Sequence, residues 1–544
     1  VAVYHLGHHP NYPELFHSLI TEPPKLLAFD TEVVSLDNRK LLGVGVAISG
    51  GEGFYVPVDE PRFLSILALA RDSSIQKIYH NAPFDLRVLR PHQVDCSNVD
   101  DTAFMLRLLG LPASLDEAAI SVGREAQTAK SLMESHKVHT MDKLPQSELA
   151  NKCINDAQVT YLLYEKYKDL VSPSYYAMER RLIPRLEDMS QVGVKLDTDR
   201  IEELYQHYNR EYAWYLTQCQ GMGFNPGSPQ QVGYILAERE NFLPFTKSKK
   251  QLSTDESHLR RLSDPVARLV LLYRHTAKLL NTYIIPLRGK DRAYTTFHME
   301  ALTGRISSTS AGKGNPDRNL MNIPKKTDLA QAAIPTIRSA FLPDHNEWTI
   351  ADFSQIELRI LAYLSRDQRM LSIFQSPDGD FHGVTASEMR IPRDFAKIFN
   401  FAMIYGGNEY TVATNAGMSD VALAKKYMLR WMTTYPQAAQ WMMVQKIEGI
   451  RNGYVESLLG RKMPIPTEQG RAHAEHCCIN FPIQCTAGEI FKMAIQECSN
   501  LADSFRLIVH DEMDLSGHHQ MSDALAHLTD IYTPVGVEYR ARWG

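Results

Sequence analysis

The chain has 544 residues, too many for one hydrophobic core, and its length suggests about three or four domain-sized units. Its 44% hydrophobic and 22% charged residues describe an ordinary globular protein, and no apolar run reaches the ~18 residues of a membrane span. The net charge of −5 argues against nucleic acid only on average, because a polyanion binder needs no more than a local basic groove and metal-binding carboxylates push the total the other way.

Within residues 25–58, KLLAFDTEV, LLGVGVAI and GFYVPV are short apolar or alternating runs between Gly and polar turns, and read as a strand meander. KIYHNA (Lys77 to Ala82) reads as another strand. FDLRVLR opens a helical pattern after Pro83, and a helix follows over Ser147 to Tyr167. This first unit, 1–168, is predicted as a mixed α/β domain. Helical periodicity covers 174–222 and 255–284, with Leu182, Ile183, Leu186, Met189 and Val192 at three- and four-residue steps. Between them FNPGSPQQ and FTKSKKQLSTDES read as turns and loops. Two long helices with Lys247, Lys249 and Lys250 at the tip suggest an arm, or equally a solvated loop. From 291 the pattern is mixed, interrupted by SSTSAGKGNPDRN, which lacks the GxxxxGK[ST] spacing of a phosphate-binding loop. Residues 366–450 are mainly helical, and the end returns to strand and helix.

Two later segments carry chemistry. Asp352 stands where the apolar strand WTIA stops, and Asp511 and Glu512 sit at the tip of an apparent hairpin, LIVHDEMDLSG. Two Mg²⁺ ions that clamp attacking and leaving oxygens need carboxylates on rigid strands. A single strand-end Asp is as readily a cap or turn residue, and Ser354 reads as a cap for QIELRILAYL. Between the acids, Arg393, Lys397, Phe401 and Tyr405 recur every four residues and share one helix face. Cations at the helix N-terminus add to the positive dipole end, a seat for a triphosphate, and the aromatics offer a plane for a base. In isolation the helix also reads as an amphipathic core helix with Phe401 and Tyr405 buried.

DFSQIELR, RDFAKIFNFAMIYGG and VHDE, together with TGRISST, NLMNIP and INFPIQCTAGEIF, occur in the order found in family A DNA polymerases. The chain closely resembles that family, the group of bacterial DNA polymerase I. The resemblance implies an α/β multidomain fold: an RNase H-like exonuclease domain over 1–168, then a right-hand polymerase over 169–544. Its thumb would cover about 174–290, its palm about 291–365 and 477–544, and its fingers about 366–476. It implies that Asp352 and Asp511 bind two Mg²⁺ ions, with Mn²⁺ as a substitute. Arg393 and Lys397 would hold the triphosphate, and Lys397 would protonate the leaving pyrophosphate. His382 resembles the family's phosphate-contacting His, and Glu357 its steric gate against a ribose 2′-OH. Gln355 joins the nucleotide site, Tyr405 lies near the templating pair, and Phe401 resembles the variant that rejects dideoxynucleotides. Arg305, Asn322, Asn480 and Gln484 would contact primer-template DNA, and His510 and Glu512 would line the primer terminus. The implied partners are primer-template DNA and deoxynucleoside triphosphates, for a monomer in the cytoplasm of a bacterial or phage-infected cell.

The first unit has its own acids: Asp30 and Glu32 on one strand face, Asp85, and Asp156. Dispersed acids also describe a solvated surface. As a set they resemble the metal ligands of DEDD 3′–5′ exonucleases, which implies binding of metals and single-stranded 3′ ends. One element departs. The family's Tyr four residues before the final Asp is Lys152 here, and the related His, five residues before, is Asn151. The water-orienting group is therefore missing or supplied from elsewhere, which leaves cleavage open.

Other features are smaller. Ala311 to Arg318 is longer than the usual family link and reads as a surface loop, and His476 stands where many relatives carry Arg. The chain begins at Val1 and ends at Gly544 with no 5′-nuclease domain ahead, so a phage-type polymerase and a fragment both stay open. The seven Cys lack a CxxC pair and read as free thiols. Two rivals are a single-subunit RNA polymerase, opposed by Glu357 and the DEDD set, and a nuclease or DNA-binding protein with a dead polymerase fold, opposed by the intact Asp352, Asp511, Arg393 and Lys397.

Overall fold

Two sheets carry the acidic residues. The computed structural model describes residues 3–6, 11–35, 38–94, 98–239, 243–246, 251–309, 319–325, 336–375, 379–415, 418 and 420–544. The N-terminal sheet contains β1 (Tyr4–Leu6), β2 (Leu26–Val33), β3 (Leu41–Ala47), β4 (Gly53–Pro57), β5 (Gln76–Tyr79) and β6 (Val99–Asp101), in the order β1-β4-β3-β2-β5-β6. β2, β3 and β4 form the antiparallel meander read from the sequence, while β5 pairs parallel with β2 and β6 parallel with β5. This mixed sheet with β2 at its centre is the RNase H-like arrangement.

The Gln146–Tyr167 helix lies across β2, β3 and β4. Gly45 of β3, the register partner of Asp30, allows the close approach: a Cβ there would lie 2.7 Å from the Cys153 carbonyl oxygen. The helix residues nearest Cys153 are thereby pressed onto the acids of β2.

The 174–222 periodicity resolves into three helices, Pro173–Arg180, Leu182–Val192 and Thr198–Gly221, with a short strand Val194–Leu196 before the last. Pro184 falls in the first turn of the second helix, where its missing N–H leaves no bond unmade. FNPGSPQQ departs from its loop reading. Ser228 caps a helix, Pro229–Glu238, by accepting from the Gln231 N–H, and Pro229 occupies the first helical position. The Pro265–Lys278 helix continues into a π-helical turn, Leu279–Ile284. Lys247, Lys249 and Lys250 and the Ala311–Arg318 link lie outside the described residues.

The C-terminal sheet is antiparallel, with Phe505–Val509, Glu512–Ser516, Trp348–Phe353 and Val535–Arg540 side by side in that order. The Ile356–Ser365 and Arg471–Glu497 helices pack together, and Phe353 meets Phe491 edge-on at 6.1 Å. Six helices lie among the described residues of 368–452, as the periodicity predicts for 366–450.

Ion pairs tie distant segments together, one within the C-terminal half and one, Arg87–Glu187, between the halves. The Lys492 ammonium donates to both Glu179 oxygens at 2.5 and 2.6 Å, and Arg87 pairs with Glu187 through two bonds of 2.9 and 2.8 Å. Removing one partner of such a pair strands a buried charge and costs about 3–5 kcal/mol. The six described cysteines are free and buried, and no helix among the described residues is long and apolar enough to cross a membrane.

Candidate active sites

The sequence fixes Asp352 on its strand and Asp511 in a turn; a backbone bond brings them together. Val509 pairs with Glu512, so the hairpin turn consists of His510 and Asp511 alone, and His510 adopts a left-handed backbone at φ 59°. The Phe353 N–H donates to the Asp511 carbonyl at 3.1 Å, which pins this turn to the end of the neighbouring strand. The strand runs one residue past Asp352, to Phe353, and Glu512 begins the next strand rather than sitting at the tip. Ser354 is not the helix cap: Gln355 takes that position at φ 54° with no side-chain capping bond.

A cleft of about 580 Å³ opens beside the turn. Asp352, Gln355 and Glu357 line it from one side, His510 and Asp511 from the hairpin, and Arg393, Lys397, Phe401 and Tyr405 from the facing helix, with His382 and Arg305 between. That helix spans Arg393–Ile404, and Tyr405 is its C-terminal cap. Phe401 and Tyr405 are half-buried and stack at 6.0 Å, so neither is a core residue. Arg393 and Lys397 are exposed at the helix start.

Glu357 ties three segments together. It pairs with Arg305 and accepts from the Tyr405 hydroxyl at 2.9 Å. Burial holds its carboxyl above the usual range, against the pull of Arg305. Gly304, just before Arg305, turns the chain at φ +68° and leaves room for Arg461, whose guanidinium a Cβ there would meet at 2.4 Å.

Asp352 is exposed to the cleft at its strand end, yet the cleft walls partly desolvate its carboxyl and, with Glu512 and Asp511, push it up to about 6. Burial likewise raises Asp511, and Arg305, 3.8 Å away, offsets part of that. Carboxylates that resist ionising together are a hard-oxygen donor set suited to Mg²⁺ or Mn²⁺, so these residues fit the metals that the resemblance implies. Burial and then the Lys397 and Arg393 charges lower His382 to about 4 and keep its imidazole neutral. Asn400 contacts its Nδ1 at 3.1 Å and is itself held by the Trp431 indole N–H at 3.0 Å.

Four expected residues lie outside this cleft. Glu512 accepts from Lys325 at 3.2 Å and from Arg338 at 3.4 Å, beside a second cavity of about 290 Å³ that Asp352 also lines. Asn480 and Gln484 lie one turn apart on the Arg471–Glu497 helix, whose Gly488 packs against Arg305, and Asn322 is exposed on a short 3-10 turn. His476 stacks on His473 at 6.3 Å. The sequence reading missed Asp380, which holds Arg393 through bonds of 2.7 and 3.0 Å, although it lies two residues before His382. It also missed Arg338 and Lys325, for which no motif gives a signal.

In the N-terminal half, Asp30 and Glu32 on β2, Asp85 on the Ala82–Leu89 helix and Asp156 on the Gln146–Tyr167 helix converge. Asp85 Oδ1 accepts from the Thr31 N–H at 2.9 Å and hydroxyl at 2.7 Å, and burial pushes its carboxyl up to about 7. Lys152 lies among them. Its ammonium donates to Glu32 Oε1 and to Asp156 Oδ2, both at 2.7 Å. Burial alone would lower this ammonium, but the charges of Glu32, Asp156 and Asp30 outweigh it and hold Lys152 well above its usual range. Burial holds Asp30 far above the usual carboxylate range. Asp30, Glu32 and Cys153 bring ligand atoms within 4.8 Å of one another, but the Cys153 thiol donates to the Asp30 carbonyl at 3.5 Å and burial keeps it protonated. The seat between Glu32 and Asp156 therefore does not fit a metal, because a cation of the chain already fills it.

An acid-centred RNase H-like domain followed by a sheet of paired carboxylates facing a cationic helix defines the class: an exonuclease-type domain joined to a polymerase-type domain. The sequence pattern of DNA polymerase family A matches residues 198–532, more than half of the chain, and that of a 3′–5′ exonuclease matches residues 13–171. The chain belongs to DNA polymerase family A. It is 30% identical over 544 residues to DNA polymerase I of Chloroflexus aurantiacus, covering 89% of this chain and 56% of that protein. It is 28% identical over 564 residues to DNA polymerase I of Synechocystis sp., covering 90% and 55%. The thermostable DNA polymerase I of Thermus aquaticus is 31% identical over 386 residues, covering 65% and 45%. The chain thus spans about half the length of these relatives. The POL domain of Pol1 from M. smegmatis, solved in complex with DNA primer-template and dNTP, shares the fold, with a TM-score of 0.78, 22% identity and 99% of both chains covered.

Proposed function

We propose that this chain performs template-directed DNA synthesis, adding a deoxynucleotide from its triphosphate to a primer 3′-OH. The observation that carries the reading is the single cleft in which Asp352 and Asp511 face Arg393, Lys397, Phe401 and Tyr405 on one helix. Two Mg²⁺ ions, or Mn²⁺, held by these aspartates would neutralise charge on the attacking and leaving oxygens. The chain's own residues then position and stabilise, which is most of what phosphoryl transfer asks of a protein. Arg393 and Lys397 bind the triphosphate, which competes with Asp380 for the Arg393 guanidinium. Lys397 carries the proton for the leaving pyrophosphate, and neutral His382 donates to a phosphate oxygen.

Base stacking falls to Phe401 and Tyr405, with Gln355 beside them. Glu357, held by Arg305 and Tyr405, would exclude a 2′-OH, and Phe401, lacking a hydroxyl, would disfavour dideoxynucleotides. Arg305, Asn322, Asn480 and Gln484 contact primer-template DNA, and His510 and Glu512 the primer end. In this reading residues 1–168 are the exonuclease-type domain, the thumb covers about 174–290, the fingers about 366–476, and the palm the segments on either side of the fingers.

Primer extension with deoxynucleotides tests the proposal. Extension that Asp511→Asn abolishes while primer-template binding persists supports it; extension by ribonucleotides at equal efficiency favours an RNA polymerase instead. For the N-terminal half, the contacts of Lys152 favour a folded domain without proofreading. A mismatched, labelled primer that stays intact with Mg²⁺ and no nucleotides supports this.

A further inference from the structure

We infer that Lys152 is a built-in cation that takes the place of a divalent metal between Glu32 and Asp156, so that the N-terminal acidic centre is closed from within. The inference rests on the geometry of residues 13–171 and not on the polymerase reading of the C-terminal half.

Three features carry it. The first is position: Lys152 Nζ lies 2.7 Å from one oxygen of each acid, midway between a β2 side chain and the residue one helical turn on. Mg²⁺ would sit about 2.1 Å from the same oxygens, so ammonium and ion contend for one place. The second is burial. Glu32 and Asp156 are 5% and 4% exposed, and the Lys152 side chain only 12%, so water does little to loosen these pairs. The third is that the helix is locked in register. Gly45 of β3 lets it close on the sheet at Cys153, the next residue, whose thiol donates to the Asp30 carbonyl of β2 at 3.5 Å.

The substitution is not chemically neutral. An ammonium is a compact single charge that donates three hydrogen bonds and accepts no ligand. It can balance acids whose mutual repulsion would otherwise open the site. It offers no coordination position to a water or a phosphate oxygen, and hydrolysis by two metals needs both. The centre keeps the fold of a nuclease but holds one positive charge between Glu32 and Asp156 where a loaded one would hold a divalent ion, and it lacks the group that activates water.

Mn²⁺ binding to the 544-residue chain, read by electron paramagnetic resonance, tests this. Asp352→Asn and Asp511→Asn are carried throughout, so that the C-terminal acids do not contribute. With Lys152 present, adding Glu32→Gln should leave the number of bound Mn²⁺ unchanged. Lys152→Met should gain at least one ion with a dissociation constant below ~1 mM, and Glu32→Gln in that variant should remove it. A Mn²⁺ that binds beside Lys152 and is lost on Glu32→Gln overturns the inference, as does a folded Lys152→Met chain that gains none. If Lys152→Met does not fold, Lys152→Tyr is titrated in its place, and the Glu32→Gln comparison in the Lys152 chain decides by itself. Primer extension by chains with Asp352 and Asp511 intact reports separately on the C-terminal site.

Discussion

In the N-terminal half a lysine ammonium touches two acids at 2.7 Å, whereas in the C-terminal half Arg305 stands 3.8 Å from Asp511 and Asp352 faces open space in the cleft. Both centres rest on an antiparallel strand pair with a helix set against it, and in both burial raises the carboxyls. They differ in where the cation goes. Arg305 spends its guanidinium on Glu357, beside the cleft, and the aspartates stay available. Lys152 spends its ammonium on the two acids themselves. A few ångströms of cation placement separate acids left open to a metal from acids already paired with a cation of the chain.

The largest effect should come from Asp511→Asn, which removes a carboxylate from the open centre. Primer extension should fall by ~10⁴-fold, while primer-template affinity stays within a few fold. A fall of less than tenfold would break the comparison at its C-terminal end.

Next, Lys152→Met leaves Glu32 and Asp156 buried without a partner. It should weaken local stability by about 3 kcal/mol, measured by hydrogen exchange across the Gln146–Tyr167 helix, and Lys152→Arg should retain most of it. Unchanged protection in Lys152→Met would mean that the ammonium does not hold the centre closed.

A pH titration probes His382, which lines the cleft from the helix before the facing one. The His382 imidazole titrates near 4 when folded and at 6.5 when free, so the unfolded chain binds its proton more readily. Its contribution is therefore complete above pH 6.5 and is lost as pH falls toward 4, by up to about 3 kcal/mol. His382→Gln should flatten that acid-side decline, and an unchanged slope between these pH values would argue that the imidazole is solvated.

The smallest effect concerns selectivity. Glu357→Ala should raise ribonucleotide incorporation relative to deoxynucleotides by about 10- to 10²-fold, because the site loses a steric and polar obstacle rather than a catalytic group. Unaltered discrimination would move the gate to another residue of the cleft.

Much of this was legible without coordinates. KLLAFDTEV and LLGVGVAI, short apolar or alternating runs between turn residues, give β2 and β3 directly, since both are local properties of the chain. The four-residue spacing from Arg393 to Tyr405 places these side chains on one helix face for a similar reason. The FNPGSPQQ helix was hidden because Pro and Ser mark a turn and a helix start alike, and only the Ser228 bond distinguishes them. Asp380 and Arg338 escaped notice because an ion pair across tens or hundreds of residues leaves no periodic trace.

By itself, the sequence determined most of the elements, the order of the motifs and the identity of each acid, because these depend on local spacing and side-chain chemistry. Only the tertiary structure decided which charges meet. Lys152 read from the chain is a missing tyrosine; read in space it is a cation lodged between Glu32 and Asp156. Glu32 lies 120 residues from Lys152, and packing of the helix onto the sheet, allowed by Gly45, closes that distance. The same holds for Asp352 and Asp511, which the Phe353 backbone bond joins across the sheet. Charge interactions act through space, so their outcome is set by the fold that brings the groups together.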